Sequence, residues 1–401
     1  MGTRAATPIW KRRPAMLLTG VVVLATAAAL TAPATAAQEK PQGVPPGPVA
    51  GDVGTLACGD GSYDAEVVQN GGTWTAPGYS GDSLLEAMRA AVGSLTPNRT
   101  SMESVVVRGS GSVPAEQSLD LPSYTSLEVC GTLEVTGSMS AGQAPIRIRN
   151  AGNVAVPYLE NMTGAPYFGI FVQNAHHVSL GQITMELSGG LGIRIDNHGD
   201  RSQRTTNVSI DSATISGAGS HAVETYGVDG FTAGTITATS VGESGLLLND
   251  TINADIGTVN ATDAGTGTGY AAFRMANRNG RINDGYPANI HVGEVIARGG
   301  GRGVFCVSES GGAVIDRVDL ADTGNNAILI ENCYNVTIAA SSGTVSGGGE
   351  IRLAARDEFA NNRDITLSNL TVINSAITEN PCGENITISN IIWQNSQDNT
   401  C

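Results

Sequence analysis

The sequence predicts an all-β protein, a right-handed parallel β-helix of about ten or more coils with an N-terminal capping helix. Three observations lead there. Apolar residues alternate in pairs, the pairs return about every two dozen residues, and the composition is rich in glycine but poor in aromatic and charged groups. Of 401 residues 52 are glycine, while 4% are aromatic and 15% charged; an average globular chain is roughly 25% charged. A hydrophobic share of 41% is enough to build a core, which excludes general disorder. The formal net charge of −15 argues against nucleic acid as a partner, because phosphate neutralisation needs clustered Lys and Arg.

The chain opens on an address. Arg4, Lys11, Arg12 and Arg13 precede an apolar run from Met16 to Thr31, which ends at Ala34-Thr35-Ala36. Residues 1–36 thus have the three parts of a secretory signal. Arg12-Arg13 also permits a twin-arginine reading. An uncleaved anchor is the alternative, disfavoured by the shortness of the run and the cleavage site behind it. The expected mature protein is secreted, carries a charge of about −19 after loss of four basic residues, and stays off the membrane. Residues 37–53 form a leader rich in Pro and Gly. Six cysteines in an exported chain are expected to pair. Fifteen connectivities are possible, and position favours Cys58 with Cys130, Cys306 with Cys333, and Cys382 with Cys401.

Residues 54–401 carry the repeat. Ile146/Ile148, Ile170/Val172, Ile193/Ile195, Val223/Thr225, Leu246/Leu248, Phe273/Met275, Phe305/Val307, Ile328/Ile330, Ile351/Leu353 and Ile377 start successive units. The starts are separated by 24, 23, 30, 23, 27, 32, 23, 23 and 26 residues. Period-two alternation means strands with one buried face, and Gly, Asn and Asp between them supply turns and left-handed backbone. Asn207-Val-Ser-Ile, Asn335-Val-Thr-Ile, Asp364-Ile-Thr-Leu and Asn385-Ile-Thr-Ile recur at one place in the unit. Units this short, without helices, are coils stacked at a spacing of about 4.8 Å. A propeller is the alternative, but its blades need about 40 residues. The sequons at Asn161, Asn207, Asn249, Asn335 and Asn385 fall out of the coil consensus and are not read as glycosylation sites.

A solenoid needs covered ends. Residues 80–92 show helical periodicity, with Leu84, Leu85, Met88 and Val92 on one stripe and Asp82 or Ser83 as cap. This helix is expected to close the N-terminal end, and the tail with Trp393 and Cys401 the other. The helix followed by coils of this form resembles the secreted pectin-lyase-like β-helix superfamily over about residues 54–401. That superfamily includes polysaccharide lyases, glycoside hydrolases, esterases and non-enzymatic adhesins. The paired-aspartate and Gly-His-Gly pattern of polygalacturonases is missing, as is the arginine-proline motif of pectate lyases. Gly192-Ile-Arg-Ile-Asp-Asn-His only echoes the tryptophan-isoleucine-aspartate-histidine segment of the latter.

Coil alignment gives two outward columns. The first reads Arg147, Phe171, Arg194, Glu224, Leu247, Arg274, Cys306, Leu329, Arg352; the second reads Arg149, Gln173, Asp196, Tyr226, Asn249, Ala276, Ser308, Glu331, Ala354. Polar residues concentrate in the middle coils, beside the loops Asp200–Asn207 and Arg278–Ile290. An extended acidic polysaccharide fits such a face, bound by a monomer. Elimination from a uronate needs a cation on the carboxylate and a base for the proton beside it. Arg194 or Arg274 could serve, with Arg278 holding the carboxylate and calcium held by Asp196, Glu224 or Asp250. Hydrolysis needs two carboxyls with separated pKa values, for which Asp196 and Glu224 are the pair and His198 a further proton carrier. Tyr226, Asn249, Asn277 and Glu309 complete the expected substrate contacts. Binding without turnover is the third reading. Each residue also has a structural one, as surface ion pairs for Arg194 and Glu224 and turn formers for Asp196, Asn249 and His198.

Overall fold

The apolar pairs stack in register. The computed structural model describes residues 58–197, 202–265 and 269–401; the expected signal and leader, and His198, lie outside them. Thr55–Cys401 forms one compact unit. Among the described residues, twelve strand segments pair in parallel to make one face, two of them the opening stretches of the long strands Arg302–Ala321 and Asn326–Ser346. They run from Leu119–Asp120 through Ile146–Arg149, Leu191–Asp196, Val223–Tyr226, Leu246–Asn249 and Phe273–Ala276 to Gln397–Asn399. Longer strands such as His176–Leu187 and Val228–Thr239 continue each coil around the rest of the circuit, again in parallel register with their neighbours. The architecture is the expected parallel β-helix, a solenoid of about 12 turns.

Register explains the interior. Ile146, Ile170, Ile193, Val223, Leu246, Phe273, Val304, Ile328, Ile351 and Ile377 form one inward column, every member fully buried. Like lies over like because each coil repeats the phase of the coil beneath. Thr225, a polar member of the neighbouring column, shares a hydrogen bond of 2.8 Å with Thr251 inside the core. At one corner Gly234 and Gly257 lie under adjacent coils, where an added Cβ would come within 2.4 Å of the carbonyls of Asp211 and Gly234.

The corners also use the recurring asparagines. Asn207, Asn335, Asp364 and Asn385 all have φ between 51° and 57°, the left-handed region that Asn and Asp tolerate. In the last coils the amides stack. Asn385 donates to Asp364 at 2.7 Å, Asn390 to Asn369 at 2.7 Å and Asn395 to Asn374 at 2.8 Å.

Two expectations are corrected. The inward pair of the coil at 305 is Val304/Cys306, not Phe305/Val307, since Phe273 pairs with Val304 and Arg274 with Phe305. Phe305 and Val307 therefore face outward, in a small apolar cluster with Leu247 and Leu329. The C-terminal tail is not a plug. Glu384–Ser389, Ile392–Gln394 and Gln397–Asn399 form one more coil, leaving Ile392 57% exposed and Trp393 half-buried. The helix is present at Leu84–Ser94, with Ser83 accepting a hydrogen bond from the Glu86 amide at 3.2 Å. Its buried residues, Leu84, Leu85, Met88 and Val92 among them, pack on the first strands of the solenoid.

The three disulfides are the pairs favoured by position: Cys58–Cys130, Cys306–Cys333 and Cys382–Cys401. Cys306 and Cys333 are both fully buried, so their bridge ties adjacent coils from within. Replacing both by alanine should lower unfolding stability by about 3 kcal/mol, as expected for a loop of this length. An unchanged urea midpoint would show that register alone holds these coils together.

Candidate functional site

The residues between and after the inward pairs form the outer surface of the face. Its first column, read from the pairing, is Arg147, Phe171, Arg194, Glu224, Leu247, Arg274, Phe305, Leu329, Arg352. Phe305 takes the place expected for Cys306, and Val307 that expected for Ser308. Ser308 and Glu309 instead turn the corner, with φ of 58° and 57°.

Arg194 is the hub of one polar group. Its Nε lies 3.1 Å from Asp196 Oδ2, and its Nη1 bonds Glu224 Oε2 on the next coil. Gln173 donates to Asp196 at 3.0 Å, Asn249 donates to Glu224 at 2.9 Å, and Asn277 donates to Asn249 at 2.8 Å. Tyr226 is half-buried, its ring 5.6 Å from the Arg194 guanidinium. Burial works against the charge on Arg194, but Glu224 and then Asp196 outweigh it and raise the pKa. One guanidinium serves both carboxylates, and each is only 8% exposed. Asp196 and Glu224 are thus brought together, but as the two arms of a closed ion-pair group.

The residues around the long loop separate from this group. Arg278 bonds Glu309 at 2.9 Å across the corner, both at left-handed or adjacent turn positions. Arg204 lies 3.2 Å from Asp250, which is buried. Arg204, Asp250, Arg278, Arg281, Asn283 and Asp284 line a depression of about 420 Å³. Arg274 and Arg278, expected to act together, have different neighbours.

The residues proposed to hold calcium do not suit it. Calcium takes six to eight oxygens, whereas Asp196 and Glu224 face Arg194, and Asp250 faces Arg204. Among the described residues, three candidate ligands approach closely only at Cys58, Glu128 and Cys130, and those cysteines are joined to each other.

Arg274 stands apart. Its guanidinium lies 5.4 Å from the Tyr270 ring and 5.2 Å from the Phe305 ring. It has no ion pair among the described residues, and its buried Nε has no hydrogen-bond partner there. Burial lowers its pKa, only partly offset by Tyr270 and Glu243. Behind it lies a network that sequence reasoning missed. Glu243 accepts hydrogen bonds from His221, Ser220 and Tyr270, with His221 Nε2 at 2.9 Å. His221 is 5% exposed, and its Nδ1 accepts from the Ser244 amide at 2.9 Å. That bond places the neutral ring's proton on Nε2, facing Glu243. The His221 bond, reinforced by Ser220, holds the Glu243 carboxyl down at about 2. Tyr270 is pushed up by its bond to Glu243 and by burial. His221, Glu243, Tyr270 and Arg302 all stand two or three residues ahead of an inward pair, so reading that corner as a column would have found them.

No protein-family profile matches the chain, and no curated protein matches its sequence. Among solved structures, the A-module of the Azotobacter vinelandii mannuronan C-5 epimerase AlgE6 aligns at 13% identity and a TM-score of 0.44. That alignment covers 78% of this chain and 93% of the other. The A-module of AlgE4 from the same organism aligns at 11% identity, TM-score 0.39, with 74% and 88% covered. The Dettilon tailspike protein aligns at 12%, TM-score 0.37, with 77% and 64% covered.

Two outcomes follow from this arrangement. Arg194→Met strands two buried carboxylates, so it should destabilise the fold by about 3 kcal/mol or more; a neutral effect in urea titration would contradict the hub role. Glu243 has a folded pKa of about 2 against an ordinary value of 4.5. Its contribution is complete above pH 4.5 and lost as the pH falls towards 2. Glu243→Gln should therefore flatten the pH dependence of melting across that window, and an unaltered profile would refute the assignment.

Proposed function

We propose that this chain is an exported carbohydrate-active enzyme that cleaves a uronate-containing polysaccharide by β-elimination at the face around Arg274. One observation carries the reading: a half-buried arginine without a carboxylate partner among the described residues stands beside a tyrosine backed by an ordered carboxylate and histidine. A uronate carboxylate is the counter-charge that Arg274 lacks, and a guanidinium binds it through two parallel hydrogen bonds. Neutralising that carboxylate acidifies the proton on the adjacent ring carbon.

Glu224 is assigned as the base: it stands two strands from Arg274 in the same outward column, and Arg194 and Asn249 hold its carboxylate in place. It takes the proton from the carbon beside the carboxylate. The electron pair forms a ring double bond, and the neighbouring glycosidic carbon–oxygen bond breaks. Tyr270 holds its proton firmly and delivers it to the departing oxygen. Glu243 and His221 orient the phenol. Calcium enters no step.

Hydrolysis by Asp196 and Glu224 is less well supported, since glycosidases push two carboxyls into different states and here one guanidinium serves both. Binding without turnover is favoured by the closure of that same group. Incubating the mature protein with a polysaccharide panel, with and without calcium, separates the three. The expected result is growing ultraviolet absorbance of unsaturated uronate, reduced roughly 100-fold or more by Tyr270→Phe or Glu224→Gln. New reducing ends without that absorbance would shift the case to hydrolysis, and silence across the panel would support binding alone.

A further inference from the structure

The half-buried arginines of the face and its edge differ in their partners. Arg147 holds Asp120, Arg194 holds Asp196 and Glu224, and Arg356 holds Glu331 and Glu358. Arg274 and Arg302 hold no carboxylate among the described residues. Both guanidinium carbons instead lie over one ring, 5.2 and 4.9 Å from the Phe305 centroid, and so within about 10 Å of each other. Arg302 donates its Nε to Asn326 at 3.3 Å, but its buried Nη1 has no partner there, as Arg274 Nε has none. Burial lowers the pKa of both, and for Arg274 the neighbouring Arg302 adds to the effect. Glu243 for Arg274 and Glu331 for Arg302 offset these charges only in part, and two like, partly desolvated charges weaken the fold unless an anion completes them.

Their placement suggests which anion. Arg274 belongs to the strand Phe273–Ala276 and Arg302 opens the next strand, with Arg274 paired to Phe305 between them. Arg302 stands three residues ahead of Phe305, so the two guanidiniums meet over the ring from different columns, and a span of at most about 10 Å lets them hold the carboxylates of two neighbouring sugars on an extended polysaccharide. We infer that Arg274 and Arg302 form a two-guanidinium receptor, floored by Phe305, for the carboxylates of two successive uronates. The preferred substrate is then an unbroken run of uronates, not a chain that alternates acidic with neutral sugars. This rests on the proposed polymer class and extends it to the order of the sugars.

Calorimetric titration of the mature protein with two probes tests it: a tetrasaccharide composed wholly of uronate, and one alternating uronate with a neutral sugar. The all-uronate probe should bind more tightly. Arg302→Met should weaken that binding about tenfold or more, as loss of a charge-assisted bond implies, while leaving the alternating probe unchanged. Arg274→Ala should weaken both. Equal loss on the two probes, or no loss on either, would overturn the inference. Binding in the expected pattern without turnover would retain the receptor and defeat the elimination reading; no binding of either probe by the unaltered protein would defeat both. Because Arg302 has no ion pair among the described residues and a buried Nη1 without a partner there, Arg302→Met should melt at or above the unaltered protein. A fall of several degrees would make Arg302 a structural residue and overturn the receptor.

Discussion

In-register parallel stacking is the constraint on which everything else depends. Each strand on the first face pairs with the strand one coil away, residue for residue, so a side chain's place in one coil dictates its neighbours in the next. Inside, this builds columns of Ile, Val and Leu that exclude water. Outside, it sets Arg194 against Glu224, and Arg274 between Leu247 and Phe305. The surface chemistry is rigid because its backbone is clamped by hydrogen bonds on both sides and by a buried column beneath.

That rigidity creates two electrostatic environments a few coils apart. Around Arg194 the charges cancel locally, and the amides of Gln173 and Asn249 complete the carboxylates. Such a group stabilises the surface and fixes Glu224. Around Arg274 the cancellation is only partial, and among the described residues aromatic rings stand where carboxylates would be expected.

The fold was legible because it is periodic. Alternating pairs gave the strands, the spacing gave the coils, and the asparagines marked corners that do adopt left-handed backbone. The phase slipped once, at Val304-Phe305-Cys306-Val307, where four apolar residues in a row give alternation no preference. The tail misled for the opposite reason. Trp393 suggested a plug, although Asn385-Ile-Thr-Ile already carried the coil pattern. Of the site, the face columns were readable and placed Arg194, Asp196, Glu224 and Arg274 correctly. His221, Glu243 and Tyr270 were not, because they lie in turns ahead of the strands, where polar residues read as turn formers. Whether an arginine is paired is likewise a three-dimensional property, and Arg194 and Arg274 are indistinguishable in the alignment.

The proposed elimination depends above all on Arg274 receiving a uronate carboxylate on this face. A crystal structure of the Tyr270→Phe variant soaked with a uronate tetrasaccharide tests it most directly. The expected result is a sugar chain lying over Phe305, with one carboxylate held by the Arg274 guanidinium and the next by Arg302. A chain bound elsewhere, or one that presents only hydroxyls to Arg274, would contradict it.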